Sequence, residues 1–158
     1  TKRFTALCHL VLGLGLSLAP IGAYLAVSGI FDLLPLLFSA AVLFWVSGFD
    51  IIYALQDEQF DKQQKLHSIP VLIVKKNALN LSNLLHFLTF SALSIAGIGG
   101  VFGTYYWIGF SIFSVLLVYQ HTLVKHNDLS KVNLAFFTTN GIASVIFSAF
   151  VIADLLVK

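Results

Sequence analysis

Five long apolar stretches, at 4–28, 33–55, 79–101, 104–124 and 133–157, leave this chain few folds to choose from. Each is long enough to cross a hydrocarbon layer of about 30 Å as a helix, which takes roughly 20 residues. In lipid the backbone must satisfy its own N–H and C=O groups, and continuous apolar runs of this length do so as helices. Composition agrees. The chain is 58% hydrophobic and 10% charged, with a mean hydropathy of +0.92, against about 25% charged in soluble domains. The expected fold class is therefore all-α, a polytopic transmembrane helix bundle of about five transmembrane helices. Five crossings put the two ends on opposite sides.

The basic residues are distributed unevenly over that arrangement. Lys2, Arg3, Lys62, Lys65, Lys75, Lys76, Lys125 and Lys131 fall at one end of the bundle, eight of the nine in the chain. The short connections at the other end carry none, and Lys158 closes the tail there. By the positive-inside rule the basic end is cytoplasmic. The net charge of +2 and the lack of a basic run or Arg-rich helix give no indication of nucleic-acid binding. Cys8 is alone, so it reads as a small buried hydrophobe. The first segment is too long for a signal peptide and lacks a cleavage site. With no methionine and an abrupt start at Thr1, the chain reads as a piece of a longer protein. Gly13 with Ser17, and Ala96 with Gly100, place small residues four apart, where helices can approach closely. Pro20 is expected to kink the first segment.

Four of the seven acidic residues crowd one region, Asp50, Asp57, Glu58 and Asp61. On one continuous helix, positions 50, 57 and 61 fall at about 0°, 340° and 20°, a single narrow stripe. Asp57 and Asp61 would be one turn apart, and Asp50 about 10 Å deeper. Like charges so close repel one another unless a cation gathers them. Carboxylate oxygens together with phosphate and water suit Mg²⁺. Lys2 and Arg3, with Lys75 and Lys76, are placed to meet the remaining phosphate charge, which together makes a diphosphate site at the membrane surface. Two other uses of the same residues stay open: Glu58 with Lys62 and Asp61 with Lys65 as ordinary i,i+4 surface pairs, or solvated loop carboxylates. Asp50 follows a long apolar run, where an ionisable group defaults to a functional role. A cation-coupled membrane transporter is the alternative from another class, with its carboxylates expected nearer the bilayer midplane. Of the other polar residues, His86 and Asn140 are expected to cap helices or hydrogen-bond across the bundle. His121 and His126, five apart, are poorly spaced for shared ligation. Ser47 and Gln56 border the stripe.

The run Gly48-Phe-Asp50-Ile-Ile-Tyr53-Ala54-Leu-Gln-Asp57-Glu-Gln-Phe-Asp61, followed by Leu66-His-Ser68-Ile-Pro70, resembles the second aspartate-rich motif of the UbiA prenyltransferase family, and within it the branch acting on 4-hydroxybenzoate. The basic opening Thr1-Lys-Arg-Phe-Thr5 is similar to the start of that family's fifth transmembrane helix. The resemblance implies that residues 1–158 are a partial UbiA-type domain, the C-terminal half of a nine-helix bundle. It implies a membrane enzyme that moves a polyprenyl group from polyprenyl diphosphate to an aromatic acceptor such as 4-hydroxybenzoate, with membrane lipid around it. The setting would be the bacterial inner (plasma) membrane, with the acidic motif facing the cytoplasm. Carried over residue by residue, Asp50, Asp57 and Asp61 would be the Mg²⁺ and catalytic motif, Tyr53 would lie beside them, and Lys2 and Arg3 would contact the diphosphate. Two positions depart from the pattern: Lys65 stands where the family usually has glycine, and Leu72 where a basic residue is common. The family's first aspartate motif has no counterpart in this chain, so the chain alone is expected to be inactive. A non-catalytic homologue is the remaining alternative.

Overall fold

The computed structural model describes residues 1–157, so the tail residue Lys158 lies outside the described residues. Its elements are α1 (Cys8–Ser28), α2 (Leu33–Ala54), the short α3 (Glu58–Gln63), α4 (Ile69–Gly99), α5 (Thr104–Leu123) and α6 (Asn140–Val157), the last preceded by a π-helical turn at Leu134–Thr139. No strand forms among the described residues. The five expected spans thus appear as five long helices. Four of them, taking the π turn with α6, are long and apolar enough to cross a membrane, and the chain is an integral membrane protein. α5 has the length, at 20 residues, but is not among those four.

Local chemistry sets the ends. α1 stops where Gly29 turns left-handed at φ 70° and returns its N–H to Leu25 O at 2.9 Å, a conformation glycine adopts at no steric cost. Asp32 caps α2 by accepting the Leu33 N–H. α1 begins at Cys8, four residues later than expected, and contains Pro20 without interruption. The third span begins ten residues earlier than expected, at Ile69, but it is broken inside: Ile73 and Val74 leave helical geometry, and Val74 sits at φ 60°, ψ 155°. A β-branched residue there is strained.

α1 turns Cys8, His9, Gly13 and Ser17 inward and leaves Leu12, Leu14, Leu16 and Leu18 exposed. Small and polar residues inside with leucine outside is the pattern lipid favours, because close backbone approach rather than water exclusion drives association. Gly13 shows it directly: a Cβ there would come within 2.4 Å of Ser47 Oγ on α2. Two apolar clusters hold the bundle. Ile51, Ile52, Leu55, Ile69, Val124 and Val132 pack at the end carrying the acidic residues. Ala41, Leu93, Tyr106, Phe110 and Phe113 pack further along. The first is the floor on which the polar end rests.

Candidate functional site

The acidic residues do not ride on one helix. α2 ends at Ala54, and the next three amides turn back to carbonyls three residues earlier: Leu55 to Ile52 at 3.3 Å, Gln56 to Tyr53 at 3.3 Å and Asp57 to Ala54 at 3.1 Å. This tight turn ends the helix and lets α3 set out anew. Asp57, at the cap of α3, and Asp61 within it keep their one-turn relation, the Asp61 N–H donating to Asp57 O at 2.8 Å, but the continuous helix expected to join them to Asp50 is interrupted.

Lys2 gathers Asp57 and Asp61. Its Nζ lies 3.2 Å from Asp61 Oδ1, 3.0 Å from Asp61 Oδ2 and 3.7 Å from Asp57 Oδ2. Asp61 is 1% exposed, a buried carboxylate held by charge. Burial works against the Lys2 ammonium, but the hydrogen bond to Asp61 and the charges of Asp61 and Asp57 outweigh it and leave its pKa above the ordinary 10.5. The segment bearing Lys2 is itself strapped to the loop after α3. The His67 N–H donates to Lys2 O at 2.7 Å, and Cys8 Sγ contacts His67 O at 3.7 Å. Of the two expected i,i+4 pairs, Glu58 with Lys62 forms and is joined by Lys75 at 3.3 Å. These partners, Lys62 foremost, hold the Glu58 carboxyl below its ordinary range against the opposing effect of burial. Asp61 goes to Lys2 rather than to Lys65.

Asp50 is committed elsewhere. Its Oδ2 accepts from His9 Nδ1 at 2.7 Å, while His9 Nε2 receives the Ile69 N–H at 3.4 Å. Both ring nitrogens of this buried histidine are thereby used, with the proton on Nδ1. His9 joins α1, α2 and the start of α4. Tyr53 turns its ring onto Phe136, with centroids 4.3 Å apart. Arg3 is exposed and forms no ion pair among the described residues. The structure therefore brings together Lys2, Asp57 and Asp61, and leaves Asp50, Tyr53 and Arg3 to other surroundings.

Sequence reasoning missed His9 and Asp154. The signal for His9 was an ionisable residue at the start of an apolar segment. Asp154 lies near the end of α6, where its Oδ2 accepts the Gly103 N–H at 2.7 Å and its Oδ1 the Tyr106 N–H at 3.2 Å. It caps α5 from another helix, a role no local pattern announces. The expected polar bonds across the bundle are present. Asn140 accepts from Trp45 Nε1 at 3.2 Å and donates to Ala135 O and Phe136 O, both carbonyls of the π turn. His86 pairs with His121 at 2.7 Å.

The donor set at α3 suits a hard cation. Asp57 and Asp61 offer only oxygens, and their carboxylates already converge on one positive centre. Mg²⁺ characteristically takes one or two protein carboxylates and completes its shell with phosphate and water. Ser68 Oγ, close after α3 in sequence and buried, has no hydrogen-bond partner among the described residues. No three His, Cys, Asp or Glu side chains gather into a metal-binding group among the described residues. Two carboxylates at α3, rather than three in a stripe, are what the fold presents.

Known proteins share this bundle of membrane helices. The profile of the UbiA prenyltransferase family matches residues 1–142, and the chain belongs to that family. Among curated relatives, 4-hydroxybenzoate octaprenyltransferase of Tolumonas auensis is 29% identical over 152 residues, covering 96% of this chain and 53% of that protein. The enzyme of the same name from Francisella tularensis subsp. novicida is 32% identical over 149 residues, covering 92% and 51%. The apo structure of a UbiA homolog from Aeropyrum pernix K1 superposes with a TM-score of 0.84 at 31% identity, covering 98% of this chain and 57% of that one. The chain spans about half the length of the curated relatives it matches.

Proposed function

We propose that the protein to which this chain belongs is a Mg²⁺-dependent intramembrane prenyltransferase, moving a polyprenyl group from its diphosphate to 4-hydroxybenzoate or a related aromatic quinone precursor. The observation that carries this reading is the convergence of Asp57 and Asp61 on Lys2 at the polar end of an apolar bundle. Relatives named for that activity, matched over nearly the whole of this chain, support it.

Asp57 and Asp61 would hold the metal, with Asp50 set deeper and fixed by His9. When bound, Mg²⁺ would supply positive charge to the leaving diphosphate as the allylic C–O bond breaks. Lys2, already poised beside both carboxylates, would share that task, with Arg3 reaching the diphosphate from the same segment. The apolar bundle would keep water from the cation-like prenyl group until the acceptor ring attacks. A cavity of about 380 Å³ lined by Phe38, Val42, Trp45, Phe113 and Phe147 would take the isoprenoid chain. Because the chain spans half of its relatives, activity is expected to require the rest of the protein.

In the full-length protein, replacing Asp61 with Asn is expected to lower prenyl transfer by about 10²-fold or more, since a charge-stabilising group in a desolvated site is removed. Transfer of radiolabelled polyprenyl diphosphate to 4-hydroxybenzoate, with and without divalent metal, reads this out. Unchanged turnover after metal removal would discard the mechanism.

A further inference from the structure

Two cavities meet between α4 and α5. One, of about 370 Å³, runs along the helices and is walled by Phe87, Phe90, Leu117 and Val118, with Asn83 and His121. The other, of about 420 Å³, opens at the end of the bundle and is lined by Lys76, Asn80, Lys125 and His126, with the same Asn83 and His121. Sharing two residues, they form one groove with a polar mouth and an apolar trough. Phe87 is 62% and Val118 67% exposed, so the trough is open along its side among the described residues. Its walls are held by polar ties: His86 Nδ1 to His121 Nε2 at 2.7 Å and Gln120 Nε2 to the same His86 nitrogen at 2.9 Å.

The mouth is positively charged. Neither Lys76 nor Lys125 has a carboxylate within ion-pair distance among the described residues. The nearby Asp128 is turned to Ser130, accepting its N–H at 3.0 Å and its hydroxyl at 2.7 Å. The turn carrying Lys125 is fixed by a reciprocal backbone pair with Asp128, 3.0 Å each way. No Asp or Glu lines the mouth, so nothing there would hold a metal for a diphosphate. Two lysines without carboxylates match a singly charged phosphodiester.

We infer that this groove binds an anionic phospholipid, its headgroup phosphate between Lys76 and Lys125 and one acyl chain along Phe87, Phe90 and Val118. Basic pockets between membrane helices near the surface take such headgroups, and a quaternary ammonium beside two lysines would be repelled.

The test uses the full-length protein released from membranes and titrated with phosphatidylglycerol or phosphatidylcholine, with retained lipid read by native mass spectrometry. Wild type is expected to retain phosphatidylglycerol about tenfold more tightly. Lys76→Gln with Lys125→Gln, both at exposed positions, should abolish the preference while leaving phosphatidylcholine retention unchanged, and Val118→Trp, which fills the trough, should weaken both lipids. Equal retention of the two lipids by wild type, or a preference that survives the double substitution, overturns the inference. Displacement of phosphatidylglycerol by equimolar polyprenyl diphosphate would overturn it in favour of a substrate site, and displacement by inorganic phosphate alone would reduce it to simple anion binding.

Discussion

At the scale of single residues, Lys2 does more than its place in an N-terminal basic pair suggests. It neutralises a buried carboxylate, and its backbone carbonyl anchors the loop after α3. A lysine whose folded pKa is raised contributes stability that is present below its unfolded pKa and lost as pH rises through the folded value. Glu58, whose folded pKa is lowered, contributes stability that is present above its unfolded pKa and lost as pH falls through the folded value. The docking of the N-terminal segment and α3 on the bundle is therefore expected to be insensitive to pH between about 4.5 and 10.5, the ordinary values of the two groups, and to loosen beyond either limit. Hydrogen exchange at the amides of residues 61–67 would reveal it, and a transition near neutral pH would contradict it. Lys65 supplies a second prediction. It sits at φ 54°, in the left-handed region that glycine enters without steric cost. A side chain there costs about 1 kcal/mol that glycine avoids. Lys65→Gly is thus expected to raise thermal stability in detergent by about that amount, and a loss of stability would show that the side chain makes a compensating contact.

At the scale of elements, the ends and breaks of helices were the least legible part of the sequence. Hydropathy located all five long helices, because the requirement for about 20 apolar residues is written in a contiguous run. It did not announce the stop after Ala54, where three amides choose nearer carbonyls, nor the break at Ile73 and Val74 inside an otherwise helical pattern. The consequence was specific. A helical wheel drawn through the stop put Asp50 with Asp57 and Asp61, while the fold gives Asp50 to His9. What survived was the pair formed by Asp61 of α3 and its cap residue Asp57, since an i,i+4 relation is local. Asp154 marks the same limit from the other side. It satisfies the first turn of α5 across a separation that only the fold can close. Asp154→Ala would leave the Gly103 and Tyr106 N–H groups without that acceptor in apolar surroundings, at an expected cost of about 1–2 kcal/mol. Faster amide exchange confined to the first turn of α5 would confirm it, and a uniform change across the bundle would assign Asp154 a broader role.

At the scale of the whole molecule, the polar end follows from the alternation of crossings. Connections of four residues at 29–32 and at 100–103 send the chain straight back, so α3, the start of α4 and the loop after α5 share one end. That end collects Lys62, Lys65, Lys75, Lys76, Lys125 and Lys131, together with Lys2 and Arg3 ahead of α1, and the opposite connections have no basic residue. Such an asymmetry in short loops orients a membrane protein with the basic side in the cytoplasm. For a diphosphate substrate this orientation matters, because a polyanion does not cross the bilayer to reach a site on the far side. Labelling settles the orientation. In a full-length protein with its native cysteines, Cys8 included, replaced by alanine, a cysteine placed at exposed Gln64 should react with a membrane-impermeant maleimide only in inverted vesicles. One placed at Ile30, 59% exposed in the opposite connection, should react only in right-side-out vesicles. The reverse pattern would put Lys2, Asp57 and Asp61 outside the cell, away from a cytoplasmic supply of polyprenyl diphosphate, and the proposed function would fall with it.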